Sequence, residues 1–169
     1  MFAGIGGICL GLKKAGFDIV WANDFDKYAC QTYRANFKDH NLIEEDIANI
    51  SVTDIPNIDF LAAGFPCQSF SSIGKQGGFE DKRGLLFFEV VRVLKAKRPY
   101  GFLLENVKNL LSINQGKTFK VILNTLNDLG YTVHYKLINS KDFGVPQNRI
   151  RLYIVGFLED ITFNFPKEI

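Results

Sequence analysis

Short apolar segments alternate with helical patterns along most of the chain, and this alternation constrains its fold more than any other feature. Strands separated by helices are typical of parallel βαβ units. We therefore predict an α/β fold: a mostly parallel sheet with helices on both faces. The predicted strands are Phe17–Asn23, Phe60–Ala63, Phe102–Glu105, Thr132–Ile138 and Leu152–Gly156, and the predicted helices are Gly7–Ala15, Asp26–Asn36, Leu85–Leu94 and Lys117–Leu129.

The length of 169 residues fits one domain. Almost no strand precedes the turn at Gly4–Gly7, and the sequence stops just after Phe163–Pro166 without a terminal helix. From these two features we expect a single domain, residues 1–169, that is truncated at both ends.

Charge and cysteine content alone do not reveal the substrate. The 20 Lys and Arg against 18 Asp and Glu give a net charge of +2, which is too small to predict nucleic-acid binding. The local cluster of Lys75, Lys82 and Arg83 could be solvated surface. No apolar run is long enough to span a membrane, and the apolar start lacks the features of a signal peptide. The 3 cysteines have no zinc-site spacing, so we expect a cytoplasmic protein without a metal.

The glycine-rich turn from Phe2 to Gly7 would present backbone N–H groups at the start of a helix. Glycine lets a ligand approach such a backbone closely. An acidic residue about 20 positions further on can bind ribose hydroxyls, and Asp24 lies at that spacing. Asp46 follows another short segment and could meet an adenine amino group. The turn lacks the full GxGxxG pattern, which favours a methyl-donor nucleoside over NAD or FAD; an ordinary tight turn is the alternative.

A cysteine loop, Gly64-Phe65-Pro66-Cys67-Gln68-Ser69-Phe70-Ser71, follows a predicted strand. Pro66 would make the backbone rigid just before the sulfur, and a thiolate at a strand end can act as a nucleophile. The alternative is an inert buried cysteine, the role that we predict for Cys9 and Cys30. The glycine- and serine-rich segment Gln68–Gly78 is predicted to form a lid.

Charged residues end one predicted strand and precede another. Glu105 follows the apolar run Phe102–Leu104, so its carboxylate is predicted to point from the sheet edge into a crevice. Arg149 and Arg151 alternate, so they share one face of an extended segment. They could clamp a phosphate and a carbonyl oxygen, or they could be solvent-exposed charges.

Four segments, FAGIGG, GFPCQSFS, ENV and QNRIR, occur in the order and spacing of the cytosine-5 DNA methyltransferases. The chain most resembles the bacterial enzymes of restriction-modification systems, and the resemblance runs nearly end to end. It implies a Rossmann-like S-adenosylmethionine-dependent methyltransferase fold and duplex DNA as substrate, with the target base flipped out of the helix. Whole enzymes of this family add a target-recognition domain and two further motifs, which are absent from this sequence.

The resemblance also assigns residue roles. Cys67 would attack carbon-6 of the target cytosine, a protonated Glu105 would bind its ring nitrogen, Arg151 would contact its carbonyl oxygen, and Arg149 would hold the loop and a phosphate. The implied cofactor-binding residues are Phe2, Gly4, Ile5, Gly6, Asp24, Phe25, Asp46, Ile47, Pro66 and Leu86.

Three other interpretations stay open at this point. A tRNA-methylating branch of the family shares the four motifs. The chain could instead be an inactive fragment, or a subunit whose partner chain supplies the target-recognition domain. A cysteine hydrolase would need His40 or His134 as its base, and neither lies in a motif of that kind.

Overall fold

The computed structural model describes residues 1–66 and 85–169. Within these ranges the helices and strands follow the predicted order, with one additional strand at Leu42–Glu44. The helices are α1 (Gly7–Lys14), α2 (Lys27–Asn36), α3 (Leu85–Lys97) and α4 (Lys117–Asp128), and the strands are β1 (Ala22–Asp24), β2 (Leu42–Glu44), β3 (Phe60–Ala63), β4 (Gly101–Val107), β5 (Thr132–Asn139) and β6 (Ile150–Phe157).

The described strands form two sheets that are joined by the first residues of the chain. The larger sheet has the order β3-β4-β6-β5, and β1 pairs with β2 in the smaller one. Both β1–β2 and β3–β4 are parallel, whereas β6 runs antiparallel to β4 and β5. The Ala3 N–H donates to the Asn23 carbonyl at 2.9 Å, and the Met1 nitrogen donates to the Ala62 carbonyl at 2.8 Å. Residues 1–3 therefore bridge the two sheets. Because only β6 runs against the other strands of its sheet, the predicted mostly parallel α/β fold is confirmed.

Alternation of side chains along β4 explains how the core and the site share one strand. Phe102, Leu104 and Asn106 are buried on one face of the strand, and Glu105 points to the other face. The buried residues of α4 recur at helical spacing and join the same core, which also includes α3. Burial of each large side chain of this kind stabilises the fold by roughly 1.5–3 kcal/mol, so the core fixes the strand that carries Glu105.

The predicted strand Phe17–Asn23 is wrong over most of its length. Only Ala22–Asp24 forms β1, because that segment alone meets hydrogen-bonding neighbours in β2 and Ala3. The Phe17 N–H instead bonds to the carbonyl of Leu12 at the end of α1, and its ring packs 5.2 Å from that of Phe60. The three-residue strand Leu42–Glu44 was not predicted. Apolar character alone does not make a strand without a partner backbone.

The sequence contains no apolar run that we predict to span a membrane, and the lengths of the helices in the structure bear on this prediction. Among residues 1–66 and 85–169, every helix is too short or too polar to cross a lipid bilayer.

Candidate active site

Left-handed backbone geometry shapes the glycine-rich turn. Gly4 and Gly6 have φ angles of 55° and 97°, and Phe2 also has a positive φ of 52°. The Gly4 N–H donates to Oδ2 of Asp24 at 2.7 Å, and α1 begins directly after Gly6. Residues other than glycine adopt this backbone region at a cost in conformational energy. The turn is therefore a specific structure that is anchored to the end of β1, rather than an ordinary flexible loop.

The two faces of this turn differ. A Cβ atom built on Gly4 would meet no atom within 4 Å, whereas one built on Gly6 would lie 2.2 Å from the ring of Phe37. The Phe37 ring stacks on His40, which accepts or donates a 2.8 Å hydrogen bond with the hydroxyl of Tyr33. Burial raises the pKa of Tyr33 and lowers that of His40, so both rings stay neutral at neutral pH. The turn is packed behind and open in front, which is the arrangement that a ligand cradle needs.

Gly6→Ala is expected to destabilise the protein by about 2–5 kcal/mol, because a left-handed backbone costs an L-residue roughly 1–2 kcal/mol and overpacking costs about 1–3 kcal/mol. Cofactor affinity should fall with it. Urea unfolding and calorimetry measure the two effects. Gly7→Ala is the matched control, since a Cβ there meets no atom within 4 Å. Equal unfolding free energies for the two variants would contradict this account of the turn.

Three predicted cofactor-binding residues, Asp24, Phe25 and Asp46, lie at or just beyond the carboxyl ends of the parallel strands β1 and β2. Asp24 ends β1, and its Oδ1 accepts the Asp26 N–H at 2.9 Å. Phe25 follows it with 66% of its surface exposed. Asp46 caps a short 3-10 turn by accepting the Ala48 N–H at 3.0 Å. Each carboxylate oxygen has a second lone pair, so both acids keep acceptor capacity beyond these backbone bonds.

The remaining predicted cofactor residues have different surroundings. Ile5 is 63% exposed at the tip of the turn, and Pro66 is exposed after β3. Leu86 is partly buried against the main core. Ile47 is only 2% exposed, so its side chain belongs to the core and only its backbone could meet a ligand. Arg92 of α3 fixes that backbone by donating to the Ile47 carbonyl at 2.9 Å.

The end of β3 lies between the glycine turn and Glu105. A Cβ atom built on Gly64 would lie 3.6 Å from Oε2 of Glu105 and 3.9 Å from the carbonyl oxygen of Phe2. Gly64 therefore lies within van der Waals reach of both regions. Because β3 and β4 are parallel, their carboxyl ends meet at one sheet edge, where α/β proteins bind ligands.

Two arginines share one oxygen of Glu105. Oε1 lies 2.9 Å from Nε of Arg151 and 3.6 Å from Nη2 of Arg149, while Oε2 faces Gly64. The Glu105 side chain is 19% exposed. Both guanidinium groups fix the orientation of the Glu105 carboxyl group. Tyr153, which pairs with Glu105 across β4 and β6, has its pKa raised by burial and, secondarily, by the Glu105 charge.

Two asparagines that the sequence analysis did not identify as positioning residues hold this arrangement. Nδ2 of the buried Asn106 donates to the Phe65 carbonyl at 2.8 Å, which ties the end of β4 to the segment before Cys67. Oδ1 of Asn139 accepts the Arg149 N–H at 3.0 Å. A polar residue within an apolar strand run, as at Asn106, is the one signal that could have found the first of them.

Cys67 and the predicted lid Gln68–Gly78 lie outside the described residues, as does the cluster of Lys75, Lys82 and Arg83. The predictions for them rest on the sequence.

The two histidines have packing roles in the structure. His40 supports the glycine turn through Phe37 and Tyr33. His134 lies on β5, and its ring centroid is 5.8 Å from that of Phe163. Neither observation favours the cysteine-hydrolase interpretation.

Comparisons with known proteins agree with this geometry. The family model described as C-5 cytosine-specific DNA methylase matches residues 1–169. Type II methyltransferase M.NgoBI of Neisseria gonorrhoeae is 53% identical over 169 residues, covering 100% of this chain and 53% of the relative. Type II methyltransferase M.HaeII of Haemophilus aegyptius is 54% identical, covering 100% of this chain and 52% of the relative.

Solved structures give the same result for the fold. The crystal structure of S. pombe Dnmt2 methyltransferase superposes with a TM-score of 0.80 at 25% identity, covering 97% of this chain and 51% of that one. The chain thus spans about half the length of the relatives that it matches.

Proposed function

The chain belongs to the C-5 cytosine-specific DNA methylase family, and on that premise we propose that it transfers a methyl group from S-adenosylmethionine to carbon-5 of cytosine in duplex DNA. The single observation that carries the proposal is the position of Gly64, where a built Cβ atom would lie within 4 Å of both Oε2 of Glu105 and the Phe2 carbonyl oxygen of the glycine turn. A methyl donor at the turn and a base held by Glu105 would then be neighbours, as a direct transfer requires.

The residues around the turn fit S-adenosylmethionine. The open face at Gly4 admits a ligand to the backbone, and Asp24 offers carboxylate oxygens to ribose hydroxyls. Phe25 exposes an aromatic face for the adenine, and Asp46 can accept from its amino group. When bound, the cofactor supplies an electrophilic methyl group. Ile5, Phe2, Gly6, the Ile47 backbone, Pro66 and Leu86 would complete the pocket.

The protein would activate the base from two sides. Carbon-5 of cytosine is too weakly nucleophilic to accept the methyl group unaided, and addition of the Cys67 thiolate to carbon-6 makes it an enamine carbon. Oε2 of Glu105 faces the crevice, so it can hydrogen-bond the ring nitrogen in its protonated form. Arg151 would stabilise charge on the carbonyl oxygen. After transfer, loss of the carbon-5 proton restores the double bond and expels the sulfur.

The domain assignment follows from the same proposal. Residues 1–169 would form the catalytic and cofactor-binding portion, and the recognised DNA sequence would be read by a target-recognition domain. The comparisons do not point to a separate partner chain that supplies it.

Methyl transfer to duplex DNA and to tRNA tests the substrate. With radiolabelled S-adenosylmethionine, the full protein is expected to label mixed-sequence duplex DNA at cytosine and to leave tRNA unlabelled. The high identity to relatives that are named Type II methyltransferases favours this outcome. Label that appears only in tRNA would overturn the DNA assignment while leaving the methyltransferase chemistry standing.

A further inference from the structure

A polar groove opens beside Glu105, on the side of the two arginines. It lies where β4 ends and β6 begins, and its volume is about 450 Å³. Val107 and Arg151 are paired across the two strands, which sets the distance between the groove walls. The polar residues that line it are Lys108, Asn109, Gln147, Asn148, Arg149 and Arg151.

The charge of this groove is unbalanced. Arg149 and Arg151 share the carboxylate of Glu105, and among the described residues no carboxylate lines the groove itself. Within residues 1–66 and 85–169, Lys108 forms no ion pair within 4.0 Å. Three cations against one anion leave two positive charges at the mouth of the groove, where Lys108 and Arg149 are both exposed.

The other polar groups in the groove also suit a negatively charged ligand. Nδ2 of Asn139 donates to Oδ1 of Asn148 at 2.8 Å. This bond holds the Asn148 side chain by its oxygen, and the NH₂ group of Asn148 keeps its capacity to donate. Arg149 is fixed at its backbone by Asn139 and by Ser140, whose hydroxyl donates to the Arg149 carbonyl at 3.1 Å. A positive groove with fixed donors favours an oxyanion, and arginine with lysine is a common phosphate-binding combination.

We propose that Lys108, next to the Arg149 to which the family resemblance already assigns a phosphate, binds a backbone phosphate that flanks the target cytosine. This inference rests on the proposed function, because a base held at Oε2 of Glu105 carries its sugar and phosphates with it. Lys108 lies three residues beyond Glu105, directly after β4, and it lines the same groove as the two arginines that contact Glu105. Contacts of this kind fix the register of a protein on the duplex without reading sequence.

The salt dependence of duplex binding by the full protein tests the inference. Each phosphate contact contributes about 0.9 to the slope of log K against log salt, so Lys108→Gln should flatten the slope by about 0.9 and weaken binding roughly five- to tenfold near 0.1 M salt. Lys108→Arg should restore both values. Lys95→Gln is the matched control, since Lys95 is an exposed lysine in the last turn of α3, at the opposite edge of the sheet.

The outcomes separate this inference from the proposed function. If the wild type methylates duplex DNA and Lys108→Gln has the same slope and affinity as Lys95→Gln, the groove does not bind phosphate and only this inference fails. If the wild type neither binds nor methylates duplex DNA, the proposed function fails and the inference fails with it.

Discussion

Replacing Cys67 by serine is expected to abolish methyl transfer and to leave S-adenosylmethionine binding intact. A serine hydroxyl is nearly the same size as the thiol, but it is a far weaker nucleophile because the alkoxide is almost absent at neutral pH. Without addition at carbon-6, carbon-5 does not become reactive enough to accept the methyl group. Label transfer to DNA measures the first effect and calorimetry with the cofactor measures the second.

Cys9→Ser is the control for the Cys67 variant. Cys9 lies on α1 and is partly buried near Tyr33, where serine can form the same hydrogen bond. It should retain full activity. Turnover by Cys67→Ser at the wild-type rate would exclude the covalent mechanism, and loss of cofactor binding in that variant would show that the substitution disturbs more than the nucleophile.

Glu105→Gln is expected to lower turnover by about 10²–10⁴-fold, the range of a lost general acid–base contribution. The glutamine amide cannot exchange a proton with the base as the Glu105 carboxyl group can. The substitution also removes the negative charge with which Arg149 and Arg151 form ion pairs. Loss of a partly exposed pair should change stability by no more than about 1 kcal/mol. The fall should therefore appear in single-turnover rates, with a melting temperature close to that of the wild type.

The matched control is Glu44→Gln, because Glu44 also pairs with an arginine, Arg34 at 2.5 Å, and is partly exposed. This pair lies on β2 and α2, away from Glu105 in the fold. The control variant should keep wild-type turnover. If both variants lose activity equally, the effect belongs to general electrostatics and not to the position of Glu105 beside Gly64.

The strand and helix order could be predicted from the sequence because apolar periodicity is a local property. The bounds of β3, Phe60–Ala63, were predicted correctly, and the predicted family was confirmed. The strand at Phe17–Asn23 failed because pairing depends on a distant backbone, as does the short strand β2. A run of apolar residues does not determine which strand it will pair with.

The candidate site, like the fold, could be predicted only in part from the sequence. Glu105 and the two arginines were identified as candidates separately, but their shared contact depends on the antiparallel register of β4 and β6, in which Val107 faces Arg151. Lys108 was not singled out, because only the groove beside it makes an exposed lysine significant. Gly64 was identified only as part of the cysteine loop, and its position beside Glu105 and Phe2 depends on the fold.

The most direct test of the account is a trapping experiment with the full protein, S-adenosylmethionine and duplex DNA that contains 5-fluorocytosine. Fluorine cannot leave as a proton does, so the enzyme should remain bound through Cys67, and a denaturing gel should show a protein–DNA adduct that is absent in Cys67→Ser. Methylation of ordinary duplex DNA by the same preparation without any adduct on the fluorinated duplex would contradict covalent catalysis at Cys67.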